Sequence, residues 1–440
     1  MATGDWIALA GFVALFAMIA LRVPIGVAMG LVGVFGFASI RGINPALNLL
    51  ATSPIRVIAD FNLSLVPFFI LMGIFATNSG MSRELFRAGN AWLGSFRGGL
   101  ALSTIAACAG FAAICGSTVA TAATMTKIAL PEMRRENYPD HVATGVIAAG
   151  GTLGILIPPS VVLVIYAILT EQNIIKLFMA AMVPGVLAAL GYMITIAIYV
   201  RVKPDSAGQR DPAGRDERLT ALIQVWPVLV IFALVIGGIY LGWFTPTEGA
   251  AVGAAGTGLV ALFNGRLTWR GLGECITGTA ISTGMIFFIV LGAAVYNGFL
   301  AFSQLPQEAA NTVATLGISP WLVLLAILAC YLIFGCVMDS LSMILLTIPI
   351  FFPIVSALDF GLPAEEMALW FGVIVLIVVE VGLITPPVGM NLFVINSMAP
   401  DVPLARTYGG ALPFVLSDVI RVAILILFPG ITLGLVRLLY

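Results

Sequence analysis

Two clusters of small, hydroxyl-bearing residues lie inside long apolar runs: Gly116-Ser117-Thr118 with Thr121, and Gly335-Cys336-Val337-Met338-Asp339-Ser340. Hard cations take oxygen ligands, and hydroxyls supply them without burying much charge. Gly116 and Gly335 permit a tight backbone turn at these places. A second pair of segments repeats within the chain. Gly154-Ile155-Leu156-Ile157-Pro158-Pro159-Ser160 has a near copy 228 residues later, Gly382-Leu383-Ile384-Thr385-Pro386-Pro387-Val388. A Pro pair removes two backbone donors and clashes with the preceding turn, so neither stretch is a continuous helix. A helix broken at membrane depth exposes free carbonyls on one side, suited to Na⁺. On the other side it exposes free N–H groups and a positive dipole end, suited to an anionic group. Gly151, Thr152 and Thr385 add flexible backbone and further hydroxyls at the breaks.

These residues predict two related Na⁺ sites, one where each cluster meets the break of its own half. Any single Ser or Thr could instead bond back to its own helix. Asp339 could balance a cation, or cap the helix that starts at Ser340. Glu380, two residues before Gly382, is either a coupling or a structural carboxylate. Ile157 in one copy stands opposite Thr385 in the other, so the two sites are expected to be non-identical.

The elements that must carry these groups are membrane spans. Apolar residues make up 60% of the 440, charged residues only 9%, against about a quarter in soluble domains. Spans are predicted at about 5–21, 24–40, 60–80, 142–170, 174–200, 220–243, 247–264, 274–302, 368–397 and 409–436. Regions 98–135 and 319–357 each have two arms too short to span comfortably, joined by one hydroxyl cluster. They read as re-entrant hairpins, tolerable at membrane depth only when buried in protein or lining a cavity. The fold class is therefore an all-α polytopic membrane protein.

The parts recur in the same order, residues 1–200 forming one repeat and 219–440 the other, with five spans and a hairpin each. An odd number of spans inverts the second half relative to the first. With the N-terminus outside, fourteen of the twenty Lys and Arg fall inside, among them Arg22, Arg83, Arg87, Arg97, Arg134, Arg135 and Arg406. The positive-inside rule supports this inversion, with Arg41, Arg56, Lys176 and Arg437 as exceptions. The linker 201–218 is the one long polar segment and reads as a solvated cytoplasmic connection. Residues 82–97 read as an amphipathic helix along the interface.

Composition narrows function further. A net charge of −1 gives no support for nucleic-acid binding. No GxxxxGK[ST] segment is present, so ATP-driven transport by this chain is not expected. The first apolar run lacks a positive flank and a small-residue cleavage pattern, so it reads as a span. Cys108, Cys115, Cys275, Cys330 and Cys336 are scattered among apolar residues without metal-site spacing. The lone His141 makes neither a zinc site nor a proton relay, and Asp339 has no aspartate partner, so an intramembrane enzyme is not expected. Two broken, inverted repeats suit a saturable carrier better than a channel.

Taken together the motifs resemble the large membrane subunit of tripartite ATP-independent periplasmic (TRAP) transporters, the dicarboxylate-permease M type. The resemblance rests on Gly116-Ser117-Thr118-Val119-Ala120-Thr121, on Gly150-Gly151-Thr152-Leu153-Gly154 running into Pro158-Pro159-Ser160, on Thr245-Pro246-Thr247-Glu248-Gly249-Ala250, and on Gly382 through Gly389-Met390-Asn391. It runs from about residue 5 to the end. Thr118 departs from the family, which more often shows a second Ser there, but a hydroxyl is kept. The resemblance implies a Na⁺-driven importer of small organic anions, often carboxylates, in the bacterial inner (cytoplasmic) membrane. It implies a periplasmic substrate-binding protein and a separate small Q-type membrane subunit as partners. It further implies an elevator motion of hairpins and broken spans against a scaffold of the other spans. Carried over, Ser117, Thr118 and Thr121 with Gly151, Thr152 and Gly154 form one Na⁺ site. Gly335, Asp339 and Ser340 with Gly382 and Thr385 form the other. Substrate would lie between, near Gly116, Ser117, Pro158, Pro159, Ser160, Pro386, Pro387 and Asn391. A carboxylate carrier coupled to Na⁺ or H⁺ that needs no binding protein is the alternative.

Overall fold

The computed structural model describes residues 3–204, 214–315 and 317–440, and among them every regular element is helical. Helices are what an apolar chain can place in a bilayer, since each satisfies its own backbone groups. Phe61–Ser79, Ile174–Val202, Arg215–Tyr240, Trp269–Ser303, Ala364–Leu383 and Leu404–Leu427 are each long and apolar enough to cross. Asp140–Leu156 with Val161–Leu169 makes a further span bent by 44°. The chain is a multi-pass membrane protein.

Each region read as a hairpin holds two helices joined by a short turn, three of the four arms being short and apolar and Thr118–Arg135 mixed, with Lys127, Glu132, Arg134 and Arg135 in its second half. The first is Gly99–Cys115 and Thr118–Arg135, turning at Gly116-Ser117; the second is Pro320–Gly335 and Ser340–Ser356. Both broken spans are present too, with ordered non-helical backbone between Leu156 and Val161 and between Leu383 and Met390. Along the chain the order runs Leu65–Ser79, short helix Met81–Leu93, hairpin, broken span, Ile174–Val202. It then runs Trp269–Ser303, short helix Leu305–Thr315, hairpin, broken span, Leu404–Leu427.

Three helices were not anticipated. Ile43–Ala59 and Leu305–Thr315 occupy stretches read as connections, and Pro429–Leu439 splits the span expected at 409–436. The split follows from Pro429, which has no N–H to continue the preceding helix and is pre-set for the first turn of the next. Ile43–Ala59 mixes apolar residues with Asn44, Asn48, Thr52, Ser53 and Arg56 and has an internal Pro54, a pattern too short and too mixed to register as a span. The interfacial helix closes at Leu93, with Gly94 as its cap, rather than at 97. Of the linker 201–218, residues 205–213 lie outside the described residues.

The motif Thr245-Pro246-Thr247-Glu248 proves to be a helix start. Thr245 Oγ1 accepts from the Glu248 N–H at 3.3 Å, the Glu248 carboxylate accepts from the Thr245 N–H at 2.8 Å, and Pro246 takes the first helical position. Ala364–Leu383 runs through the centre of the molecule, buried from Met367 to Leu383. It is fastened from two directions. Tyr166 OH donates to the Ala368 carbonyl at 2.6 Å, and Trp370 Nε1–H donates to the Leu425 carbonyl at 2.9 Å.

Candidate substrate and cation site

Each hairpin tip presses on the break of its own half, and glycines make the contact possible. A Cβ on Gly154 would sit 2.5 Å from the Ser117 carbonyl oxygen, and one on Gly382 would sit 2.6 Å from Gly335 Cα. Backbone cannot yield to such contacts, so only Gly serves at either position. Within the bilayer, where apolar side chains gain little by leaving lipid, close backbone approach of this kind drives helix association.

At the first tip Gly116 adopts φ +62°, the left-handed conformation that ends Gly99–Cys115. Ser117 is extended, and its Oγ caps the second arm by accepting from the Ala120 N–H at 3.4 Å. The prolines of the first break offer no N–H to the carbonyls of Gly154 and Ile155, four residues back. Ser160 caps the short helix beyond, accepting from the Leu163 N–H. Residues 151–160 are buried throughout.

The second tip works differently from expectation. Gly335 was expected to make the turn, but it is the last helical residue, and the turn runs through Cys336 to Asp339 without a left-handed glycine. Gly335 is small because Gly382 lies against it. Asp339 is the helix cap: one oxygen accepts from the Ser342 N–H at 3.0 Å and the other from the Ser342 hydroxyl. Its carboxylate thus takes the capping place that Ser117 fills in the first hairpin. The second break is joined to its tip by Gly389 N–H donating to the Cys336 carbonyl at 3.0 Å. Thr385 Oγ1 donates to the Val381 carbonyl at 2.6 Å, keeping its lone pairs free. Pro386 and Pro387 are exposed, and Tyr408 OH lies within 2.8 Å of the Pro387 and Val388 carbonyls. The helix that follows, Met390–Met398, has Gly389 at its N-cap and no side-chain cap.

The two tips meet at one carboxylate. Thr118 Oγ1 donates to Glu380 Oε2 at 2.6 Å, and Ser340 Oγ donates to Glu380 Oε1 at 2.7 Å, all three residues being buried. Two further buried polar groups lie on the first hairpin's second arm and on the helix after the second break. Thr121 Oγ1 is buried against the Cys115 thiol, with no oxygen or nitrogen partner among the described residues. Asn391 Nδ2 reaches the Ala148 carbonyl at 2.8 Å and packs on Gly151, while its Oδ1 is buried without a partner. Unpartnered buried oxygens cost free energy unless a ligand or ion uses them.

Thr152 does not bring its hydroxyl to the tip. Its Oγ1 donates to the Ala149 carbonyl at 2.7 Å and lies 2.9 Å from Tyr192 OH. Tyr192 OH donates to Asp418 Oδ2 at 2.8 Å, and Arg421 Nη2 pairs with Asp418 Oδ1 at 2.7 Å. Only the Thr152 backbone remains for a cation. The Asp418–Arg421 pair escaped the sequence reading, although two charges three residues apart inside an apolar span were a signal for it. This pair, with Tyr192, fastens both closing spans to the first broken span.

Two discontinuous spans with two hairpin tips meeting at buried hydroxyls are the arrangement found at a secondary transporter's binding site. A profile described as "Tripartite ATP-independent periplasmic transporter, DctM component" matches residues 12–431, and the chain belongs to this family. The C4-dicarboxylate TRAP transporter large permease protein DctM of Pseudomonas aeruginosa is 40% identical over 407 residues, covering 90% of this chain and 93% of that one. The sialic acid TRAP transporter large permease protein SiaM of Vibrio cholerae is 32% identical, covering 89% and 90%. The fold is also that of the Alcanivorax borkumensis YdaH transporter, whose crystal structure superposes with a TM-score of 0.65 at 14% identity over 90% of each chain. The chain is accordingly a TRAP large permease, a multi-pass protein of the inner membrane in bacteria.

Proposed function

We propose that this chain imports a small organic anion, a carboxylate, driven by a Na⁺ gradient and supplied by a periplasmic binding protein. The observation that carries the reading is the meeting of both hairpin tips at Glu380, each tip packed on the break of its own half, with oxygen lone pairs left over at Thr118, Ser340, Thr385, Thr121 and Asn391. Na⁺ would be held by Ser117, Thr118, Thr121 and the backbone of 151–154 on one side. On the other it would be held by backbone near Gly335 and Gly382 with Ser340 and Thr385. Asp339 would act there through the helix start that it caps rather than as a ligand.

The substrate carboxylate fits the second break better than the first. Pro158 to Ser160 are buried and the helix beyond them is already capped by Ser160, whereas Pro386 and Pro387 are open and Met390–Met398 begins without a side-chain cap. Free N–H groups and the positive end of that helix suit an anion. The names of relatives support a carboxylate: one is a C4-dicarboxylate permease, others are sialic acid permeases.

For the elevator motion, the moving unit would include more than hairpins and broken spans. Gly410 of Leu404–Leu427 lies so close to the His141 carbonyl that a Cβ there would overlap it, and the Tyr192–Asp418 bond ties Ile174–Val202 to the same body. Both closing spans would travel with the hairpins. A small Q-type subunit is the expected second membrane chain; one relative is named as a combined permease, DctMQ. The deciding experiment is reconstitution of the chain with its small subunit in liposomes. Uptake should require the binding protein, and uptake that proceeds without it would favour a self-sufficient carboxylate carrier.

A further inference from the structure

Glu380 is buried, 1% exposed, and makes no ion pair among the described residues. Its two carboxylate oxygens are instead divided between the hairpins, Oε2 taking the Thr118 proton and Oε1 the Ser340 proton. A hydroxyl that donates to a carboxylate keeps its own lone pairs, turned away from the acceptor and made more basic by it. A carboxylate without a cationic partner at this depth is costly, and a nearby cation relieves the cost. In the other repeat the matching position, two residues before the break glycine, is Thr152, and its hydroxyl is committed to Tyr192. One carboxylate therefore serves both tips.

We propose that Glu380 is a positioning residue that couples the two cation sites, so that a cation ordering one hydroxyl orients the other. This rests on the Na⁺ reading given above. A cation on the first tip fixes Thr118 and through it the carboxylate plane. The plane then fixes the Ser340 oxygen at the second tip, ready for the next cation. The sites lie in different hairpins, so coupling through one rigid planar group gives positive cooperativity.

The test is equilibrium binding of isotopic Na⁺ to the purified chain with its small subunit. Wild type should bind steeply, with a Hill coefficient approaching about two, the ceiling for two sites. Glu380→Gln has one acceptor oxygen in place of two, so one hydroxyl is released; the coefficient should fall to about one. Half-saturating Na⁺ should rise by about 10- to 100-fold, the usual effect of losing a group that orients a metal ligand. Thr118→Ser, which keeps the hydroxyl on Glu380, should bind as steeply as wild type. If Glu380→Gln does not fold, Glu380→Asp, whose shorter side chain cannot hold both hydroxyls at once, reads the same quantity. Steep binding retained in the Glu380 variants overturns the coupling and leaves the Na⁺ reading standing. A wild type that binds no Na⁺ overturns both.

Discussion

Asp418 and Arg421 share one buried contact, 2.7 Å long, and two of the guanidinium's nitrogens have no hydrogen-bond partner among the described residues. Removing one charge of such a pair strands the other, at a cost of about 3–5 kcal/mol. Asp418→Asn should therefore destabilise the protein strongly in thermal unfolding. Asp418→Asn combined with Arg421→Met should be less damaging than Asp418→Asn alone; a neutral single variant would contradict the account. At this scale the sequence was legible where side-chain chemistry and position agree. Ser117, Thr118 and Ser340 do sit at the hairpin tips, because glycine and hydroxyls inside an apolar run have few other places to go. It was illegible where direction matters: Thr152 lies beside the break, yet its hydroxyl turns to Tyr192. Nothing in spacing alone tells which side of a helix a distant tyrosine will occupy.

Between elements, the contacts that matter are backbone to backbone. Gly154 against Ser117 and Gly382 against Gly335 set how far each tip enters its break. Adding a methyl group at either forces main chain apart, and overpacking of this kind typically costs about 1–3 kcal/mol. Gly154→Ala and Gly382→Ala should each lower uptake and melting temperature, whereas Gly434→Ala, with nothing near its Cβ position, should change neither. Full activity in both tip variants would dissociate the tips from the site. The breaks themselves could be read from the Pro pairs, since proline's missing donor is a local property. The short helices Ile43–Ala59, Leu305–Thr315 and Pro429–Leu439 could not, because a helix lying on a surface needs neither the length nor the uniform apolarity of a span.

For the whole molecule, the repeat is informative through its differences. The first break is buried and its following helix capped by Ser160; the second is open, uncapped by a side chain and flanked by Tyr408. Two copies of one motif have thus diverged into a closed half and an open half, joined through Glu380 and through Tyr192 with Asp418. On the proposed reading the buried first break would serve a cation alone, and the open second break would serve both a cation and the substrate anion. The repeat itself was visible as two Pro-Pro segments. Its asymmetry was not, because burial depends on which distant helix covers each copy.

The central claim, import of an anion driven by Na⁺, is tested most directly by uptake into proteoliposomes holding the chain and its small subunit, with loaded binding protein outside. The account predicts accumulation with an inward Na⁺ gradient and none when K⁺ replaces Na⁺ on both sides. Equal accumulation in the K⁺ condition, or accumulation that follows an imposed proton gradient instead, would contradict it.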